Sequence, residues 1–332
     1  MSRADRFLVT GGTGFLGSAL VRRLVQDGHR VRVLDNNWRG LASRLADVQH
    51  DVELIESDIR DASAVSRACD GVTHVCHLAS VNGTEHFYTQ PDLVLDVGVR
   101  GMLNVIDACR ENGVRTLLLA SSSEVYQAPG KIPTDESVGM LIPDALNPRF
   151  SYAGAKLVSE LMALHWAAKH VARVVVFRPH NVYGPDMGTE HVIPQFALRM
   201  SDLIRKLPRG PINFPIEGTG TETRAFVHID DAIDGLMCLV ERGAHKNIYH
   251  LGNDVETDMA TLARQVARCF DREIYVVPGA LKPGGTARRC PDISKLRALG
   301  FAPRVALTGG LQQTVRWYRD NLDGRGGARR VA

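Results

Sequence analysis

Apolar and polar positions follow two alternating patterns along the first 180 residues of this 332-residue chain, short apolar runs and segments with helical spacing. Short runs rich in Val, Leu and Ile predict six buried strands, at residues 7–9, 31–34, 52–55, 72–78, 117–120 and 174–177. Between them, apolar residues recur with helical spacing, which predicts helices at residues 15–26, 62–69, 93–111 and 153–170. Strands that alternate with helices indicate βαβ units, and hence a parallel sheet covered by helices on both faces.

The composition of the chain changes after residue 180, where Pro and Gly become frequent. Helical spacing predicts further helices at residues 194–206, 230–241 and 259–269. Residues 324–330, GRGGARR, contain no apolar side chain that could anchor them. We therefore expect one domain over residues 1–180, a smaller lobe over residues 181–322 and a flexible tail over residues 323–332.

Composition narrows the class of protein without choosing a function. Apolar residues make up 44% of the chain and charged residues 23%, near the averages of globular proteins. The net charge of +3 and the scattered basic residues give no electrostatic case for a nucleic-acid partner. Six cysteines without a CxxC pair predict free thiols in a reducing compartment and no metal site. No apolar stretch reaches the ~18 residues of a membrane span, so we expect a cytoplasmic protein without a membrane partner.

A glycine-rich segment, VTGGTGFLGSALVRRL, joins the first predicted strand to the first predicted helix. Gly11, Gly14 and Gly17 have the spacing GxxGxxG, which permits a tight turn, a close approach of a diphosphate to the backbone, and close packing of helix on strand. The free N–H groups at the start of that helix would face the phosphates. This context predicts a dinucleotide site.

Two carboxylates follow the second and third predicted strands. Asp35 is placed to accept hydrogen bonds from the adenosine ribose, and its negative charge favours NAD over NADP, which carries a 2′-phosphate there. The alternative is that Asp35 only caps a loop. Asp58 could accept the adenine amino group, and Ile59 could cover the face of the adenine ring.

The segment SYAGAK places Tyr152 and Lys156 four residues apart, and therefore on one face of a helix. A tyrosine with a pKa of about 10 is a poor base near neutral pH, but a neighbouring ammonium and a nicotinamide cation would both favour its phenolate form. The hydroxyl of Ser122 or Ser123 would hold the substrate oxygen in line. The alternative is a core tyrosine beside an exposed lysine.

Taken together, these motifs resemble the extended short-chain dehydrogenase/reductase family, and more narrowly its NAD-dependent nucleotide-sugar epimerases, dehydratases and decarboxylases. The motifs are GxxGxxG, Asp35, HLAS (77–80), SSSEVY (121–126), YxxxK and RPHNVYGP (178–185). The resemblance implies an α/β fold, a Rossmann-type doubly wound parallel sheet with a smaller C-terminal α/β substrate-binding lobe. It also implies tightly held NAD, a homodimer, and transient oxidation of a nucleotide-diphosphate sugar at C4, with Tyr152 taking the hydroxyl proton. The expected cofactor contacts then include Phe15, Leu16, Asn36, Leu78, Ala79 and Ser80.

The resemblance assigns substrate contacts mainly to the second half. Asn181 matches the residue that contacts the substrate diphosphate, and Arg224 and Arg289 match arginines that bind the ribose and phosphates. Two arginines suit one diphosphate because their bonds to it are charge-assisted and bidentate. His191 and Asn82 lie in loops that should border the sugar.

One departure concerns the position three residues before Gly101, where relatives usually carry Asn and this chain has Gly98. The resemblance therefore implies that an amide contact near the cofactor, or to a bound water, is absent or is replaced from elsewhere in the chain.

Glu124 follows the three serines 121–123 and decides how the reaction outcome is interpreted. A 4-epimerase needs no carboxylate there, whereas 4,6-dehydratases and UDP-glucuronate-type decarboxylases that resemble this chain carry one. We expect an epimerase, with a dehydratase or decarboxylase that uses Glu124 as the alternative. A non-catalytic NAD-binding protein, or a dehydrogenase of a small carbonyl compound, would be a different class of protein.

Overall fold

The computed structural model describes residues 5–280 and 287–321. The flexible tail predicted for residues 323–332 lies outside the described residues. The chain divides into two compact units. The first comprises Met1–His180, Ala232–Leu251 and Asp292–Ala302, and the second comprises Asn181–Asp231, Gly252–Pro291 and Pro303–Ala332. The chain therefore passes between the units several times, whereas the sequence predicted a single boundary near residue 180.

The described strands and helices are as follows. The strands are β1 (Arg6–Thr10), β2 (Arg30–Asp35), β3 (Val52–Glu56), β4 (His74–His77), β5 (Thr116–Ala120), β6 (Arg173–Pro179), β7 (Val182–Tyr183), β8 (Ile212–Pro215), β9 (Thr223–Ala225), β10 (Val227–His228), β11 (Asn247–Leu251), β12 (Glu256–Asp258), β13 (Ile274–Val277) and β14 (Arg288–Arg289). The helices are α1 (Phe15–Gln26), α2 (Ala62–Cys69), α3 (Thr84–Thr89), α4 (Pro91–Glu111), α5 (Ser151–His165), α6 (Val192–Lys206), α7 (Ile229–Arg242), α8 (Met259–Arg268), α9 (Ser294–Arg297) and α10 (Leu307–Asn321).

A parallel sheet forms the centre of the first unit. Within the described residues it has seven strands in the order β11-β6-β5-β4-β1-β2-β3. All five residues of β5 are buried, which is why that strand reads as a continuous apolar run. The doubly wound α/β fold predicted from the sequence is confirmed, with β11 as a seventh strand that the apolar pattern did not predict.

The direction of strand order reverses between β1 and β4, which are neighbours in the sheet. Crevices at such a switch point, outside the carboxyl ends of the strands, are where open α/β sheets bind their ligands. The glycine-rich segment follows β1 and the HLAS segment includes the end of β4. The fold therefore brings these two segments to the same end of the sheet.

The second unit is built from short sheets and three longer helices, α6, α8 and α10. Its described strands form one parallel pair, β7 with β10, a second parallel pair, β8 with β13, and a three-stranded sheet in the order β12-β9-β14. Among the described helices of the whole chain, none is both long and apolar enough to cross a bilayer.

Candidate active site

The glycine-rich loop is shaped by contacts within the chain itself. Gly11 has φ of 72°, and a Cβ on it would lie 2.7 Å from the backbone nitrogen of Ala79. A Cβ on Gly17 would lie 2.1 Å from the carbonyl oxygen of Gly11. Gly14 precedes the first turn of α1, and a Cβ there would meet only the Gly11 oxygen, at 3.1 Å. A bare loop at the start of a helix, at the switch point of the sheet, fits the diphosphate of a dinucleotide.

Asp35, the last residue of β2, braces this loop. One carboxylate oxygen accepts from the backbone N–H of Thr13 at 3.0 Å, and the other accepts from that of Asn37 at 2.9 Å. Asp35 therefore does cap a loop, as the alternative proposed. Each oxygen also keeps a second lone pair, so the same carboxylate can accept a ribose hydroxyl.

Asp58 is engaged more heavily than the sequence suggested. Its two oxygens accept from the backbone and side chain of Arg60 at 2.8–3.0 Å, and Asn36 Nδ2 donates to Oδ2 at 3.0 Å. The hydrogen bonds from Arg60 lower the pKa of Asp58. Ile59 is buried and packs on Gly101, where a Cβ would lie 2.3 Å from its Cδ1. Their contact with adenine stays a prediction, and the bracing role of Arg60 was not recognised in the sequence.

The tyrosine and lysine of the YxxxK motif are both buried near the start of α5, at 7% and 6% exposure. Lys156 Nζ lies 5.7 Å from the centroid of the Tyr152 ring and donates to the carbonyl oxygen of Ala120 at 2.8 Å. The alternative with an exposed lysine therefore does not hold. Burial lowers the pKa of Lys156 to about 8, against an opposing effect of the Glu160 charge.

The Tyr152 phenol meets groups from three other segments. Its ring stacks on Phe87 with centroids 4.8 Å apart, and the Ser122 and Ser80 hydroxyls lie near its own hydroxyl. Burial raises the pKa of Tyr152 to about 12; the two serine hydroxyls act against that rise, whereas the Glu124 charge adds to it. The structure thus brings Tyr152, Ser122 and Glu124 together, and it also places Ser80 near the phenol, whereas the contact of Ser80 with the cofactor stays a prediction.

A tight turn explains why Glu124 lies near Tyr152. The Ser122 hydroxyl accepts from the Glu124 N–H at 3.1 Å and starts a 3-10 turn over Ser123–Tyr126. Gln127 ends the turn in the left-handed region, with φ of 54°, and its side-chain amide donates to the Glu124 carbonyl oxygen at 2.6 Å. Ser123 is buried inside the turn at 6% exposure.

A positive group that the sequence reasoning missed also lies near the phenol. Arg39, four residues beyond the end of β2, donates to the carbonyl oxygen of Asn82 and favours the ionised form of Tyr152 electrostatically. Asn82 itself is exposed, and its side-chain oxygen accepts from the Gly83 N–H at 2.8 Å. Its contact with a sugar stays a prediction.

The packing of α4 on α5 accounts for the glycine that replaces the usual asparagine. A Cβ on Gly98 would lie 2.6 Å from the Cβ of Ala155, next to Lys156. Ser159 Oγ, one turn further along α5, donates to the Gly98 carbonyl oxygen at 3.1 Å. No larger side chain fits at residue 98 without moving the helix that carries the Tyr–Lys pair.

The second unit brings its predicted diphosphate ligands together. Arg224 of β9 and Arg289 of β14 are register partners on parallel strands. Asn181, with φ of 42°, donates from Nδ2 to the Ala225 carbonyl oxygen at 2.9 Å. His191 is exposed and precedes α6, and its role stays a prediction.

A search of the described part of the chain finds no group of three or more His, Cys, Asp or Glu side chains placed to hold a metal ion.

Comparison with known proteins agrees with this geometry. The model of the NAD dependent epimerase/dehydratase family matches residues 7–252. The UDP-glucuronic acid decarboxylase 1 of Xenopus tropicalis is 32% identical, covering 96% of this chain and 73% of that protein. The dTDP-glucose 4,6-dehydratase structure from Streptomyces venezuelae, with NAD and TYD bound, is 29% identical with a TM-score of 0.83, covering 96% of this chain and 98% of that one.

An epimerase has an equally similar fold at lower sequence identity. The UDP-glucose 4-epimerase structure from Thermotoga maritima, with UDP-glucose, is 25% identical with a TM-score of 0.83, covering 96% of this chain and 99% of that one. Decarboxylase, dehydratase and epimerase are thus all relatives of this chain, at 32%, 29% and 25% identity. Because the family model spans well over half of its residues, the chain belongs to the NAD-dependent epimerase/dehydratase family, whose cofactor is NAD.

Proposed function

We propose that this chain is a nucleotide-diphosphate-sugar 4-epimerase that works through transient oxidation of the sugar to a 4-keto intermediate. The observation that carries the proposal is the buried Tyr152 phenol, with the Ser122 hydroxyl close by and the Lys156 Nζ 5.7 Å from the centroid of its ring. The same proposal includes action in the cytoplasm as a homodimer.

Tyr152 acts as the base that removes the C4 hydroxyl proton, and Ser122 holds that hydroxyl in line. The chain alone sets the pKa of the phenol at about 12, so phenolate near pH 7 needs roughly 7 kcal/mol of differential stabilisation, at 1.36 kcal/mol per unit. That pKa already includes the charges of the chain, Lys156 among them, so the stabilisation has to come from bound groups. When bound, NAD accepts the C4 hydrogen with its electrons, returns it later, and contributes the positive charge of its nicotinamide ring.

The nucleotide end of the substrate is bound by the second unit. Arg224 and Arg289 stand side by side on β9 and β14, as two guanidinium groups must to clasp one diphosphate in bidentate fashion. Asn181, tied to the residue after Arg224, adds an amide beside them. A neutral small carbonyl compound would need no such pair of cations, which argues against the simple dehydrogenase.

A second candidate is decarboxylation of a nucleotide uronic acid or 4,6-dehydration. The observation that favours it is the Glu124 carboxylate, close enough to Tyr152 for its charge to raise the pKa of the phenol. A 4-keto group acidifies the C5 proton, so a carboxylate beside the C4 base is well placed for chemistry one carbon further along the ring. A decarboxylase and a 4,6-dehydratase are both among the similar proteins.

One experiment tests both candidates. The purified protein is incubated with UDP-, GDP-, CDP- and dTDP-sugars, including uronic acids, in heavy water, and products are followed by mass spectrometry and proton NMR. Inversion at C4 with unchanged mass and no deuterium supports the epimerase. Deuterium at C5, or loss of water or carbon dioxide, overturns it in favour of the second candidate. No change with any sugar assigns the chain to the non-catalytic class.

Two variants complete the test. Tyr152→Phe should abolish turnover in either case while NAD binding persists. Glu124→Gln separates the candidates, because the epimerase should keep its rate within a few fold. A dehydratase or decarboxylase that uses Glu124 as acid or base should lose about 10²–10⁴-fold.

A further inference from the structure

Behind Lys156 lies a buried chain of polar side chains that the proposed chemistry does not use. We call it the Glu160 network, and it consists of Ser121, Tyr126, Glu160, Arg178 and His250. All five residues belong to the first unit. Their side chains meet where β5, β6 and β11 end.

The centre of the network is a fully buried ion pair. Glu160 is 0% exposed and Arg178 is 1% exposed. Arg178 donates to the two carboxylate oxygens of Glu160 in bidentate fashion, from Nε at 2.8 Å and from Nη2 at 2.6 Å. The Ser121 hydroxyl donates to the same carboxylate. Burying two charges costs several kcal/mol per ion, and such pairs persist only when the geometry satisfies both partners, as it does here.

The positions of the protons follow from the partners. His250 Nδ1 lies 3.0 Å from the carbonyl oxygen of Asp292, which can only accept, so Nδ1 carries the proton. Burial lowers the pKa of His250, so the ring is neutral and its Nε2 accepts from the Tyr126 hydroxyl at 2.7 Å. The Tyr126 oxygen then accepts from Arg178 Nη1. The network therefore contains one anion, Glu160, and one cation, Arg178. Of the two, Glu160 lies on the same helix as Lys156.

Glu160 and Lys156 are linked through the end of β5. Lys156 lies one helical turn before Glu160, so the two side chains leave the same face of α5. Ala120 receives the Lys156 ammonium on its carbonyl oxygen, and the next residue, Ser121, donates to Glu160. Two successive residues thus fix two successive turns of the catalytic helix.

We propose that Glu160 is a positioning residue, which Arg178 and Ser121 hold in place and which keeps Lys156 protonated against Ala120. Its effect is to set the pH range over which Tyr152 is a phenolate and Lys156 an ammonium. The consequence for turnover rests on the proposed function, whereas the consequence for ionisation does not.

The charged and titratable groups around the pair are few. Lys156 faces Tyr152 and Glu160 on its own helix, and His77 on β4, whose pKa burial lowers to about 3. Glu160 faces Arg178 on β6. Glu124 and Arg39 bear on Tyr152 with opposite signs. Of these groups, Glu160 is the one that favours the ammonium form of Lys156.

The test is Glu160→Gln, with the exposed Glu111→Gln on α4 as the matched control. NAD-loaded protein is titrated by near-ultraviolet difference absorbance, with Tyr152→Phe as the reference that isolates the Tyr152 phenolate. In Glu160→Gln, Lys156 should lose its proton at a pH about one unit lower. The Tyr152 titration should change at that lower pH, because a neutral Lys156 no longer favours the phenolate, and the alkaline limb of the pH profile of kcat should move down by the same amount. Glu111→Gln should leave the titration and the profile unchanged.

A second variant keeps the proposal testable if the uncompensated Arg178 prevents folding. Glu160→Gln with Arg178→Gln removes both buried charges and should fold while keeping the shifted titration. Wild-type midpoints in either folded variant would overturn the proposal, because a purely structural residue lowers kcat evenly across pH. An unfolded double variant would assign the pair to stability alone and would also overturn it. A shifted titration without turnover of any nucleotide sugar would uphold the role of Glu160 and reject the proposed function.

Discussion

Replacing Gly98 by alanine tests the close approach of α4 to α5 that holds the catalytic helix. The new Cβ would lie 2.6 Å from the Cβ of Ala155, whereas carbon atoms in ordinary contact are about 3.5–4.0 Å apart. The two helices must therefore separate by about 1 Å, and overpacking of this kind costs about 1–3 kcal/mol. Alanine in a helix interior returns about 1 kcal/mol relative to glycine. The net expectation is a loss of about 0–2 kcal/mol in the free energy of unfolding.

Gly154, the neighbour of Ala155 on α5, provides the control. A Cβ on Gly154 would meet its nearest atom, Ile142 Cδ1, at 4.0 Å, so Gly154→Ala should gain about 1 kcal/mol from helix propensity. The double variant Gly98→Ala with Ala155→Gly exchanges the two methyl groups and should recover the packing. Urea unfolding of wild type, Gly98→Ala, Ala155→Gly and the double variant gives a double-mutant cycle. The coupling free energy between residues 98 and 155 should be about 1–3 kcal/mol.

The reasoning fails if Gly98→Ala is as stabilising as Gly154→Ala, because the helices would then have room for the methyl group. It also fails if Gly98→Asn, which restores the residue usual in relatives, is neutral. Asparagine gains less than alanine from helix propensity and adds more volume at the same contact, so its cost should exceed that of alanine.

Three further predictions concern binding, assembly and pH. Arg224→Met and Arg289→Met should each weaken binding of UDP or the matching nucleoside diphosphate by about 10–100-fold, as measured by calorimetry. This corresponds to the ~1.5–3 kcal/mol of a hydrogen bond to a charged group. Wild-type affinity in both variants would contradict the proposed binding of the diphosphate by the two arginines. The family resemblance implies that the homodimer packs through α4 and α5, and Leu161 is 45% exposed on α5. Leu161→Arg should therefore convert the homodimer to monomers in sedimentation, and a wild-type monomer would reject the dimer. The pKa of Lys156 in the folded chain, about 8, lies below the ordinary 10.5, so the unfolded chain binds more protons between these values and stability should rise with pH across that window. Lys156→Met should lack the rise and be more stable at pH 7 by roughly 3 kcal/mol, and a parallel pH dependence in denaturant titrations would contradict the assignment.

Short-range patterns in the sequence predicted the parts of the fold that they determine. The glycine loop, the Tyr–Lys spacing and the central strands depend on residues close together in the chain. The strand Asn247–Leu251, NIYHL, mixes polar and apolar residues, and it was missed because it is defined by pairing with β6, far away in sequence. A seventh strand at the sheet edge needs no continuous apolar run, so no local signal could have replaced the pairing.

The same limit applies to the side chains around the site. From the sequence, Gly98 indicated only that the asparagine amide usual in relatives is absent. The packing against Ala155 shows in addition that a side chain is excluded at this position. Arg178 is 18 residues beyond Glu160, and nothing in their spacing says that they pair. A carboxylate four residues after a catalytic lysine, on the same helical face, is the one signal that could have drawn attention to Glu160.

The pKa values of Tyr152 and Lys156 also bear on whether the cofactor has to bind before the proposed proton removal. With Tyr152 at a pKa of about 12 and Lys156 at about 8, the chain by itself holds a neutral phenol beside an ammonium at neutral pH. Because the pKa of about 12 already includes the effect of Lys156, the roughly 7 kcal/mol demanded by the phenolate has to come from a bound group. As the proposed base, Tyr152 would therefore be competent only when a further cation is bound beside it, which would confine proton removal to the complex that can also accept the hydrogen. Under this argument neither wild type nor Tyr152→Phe should show phenolate absorbance from residue 152 at pH 8 without cofactor, and only wild type should gain it once NAD is bound; a phenolate signal from Tyr152 in cofactor-free wild type would refute it.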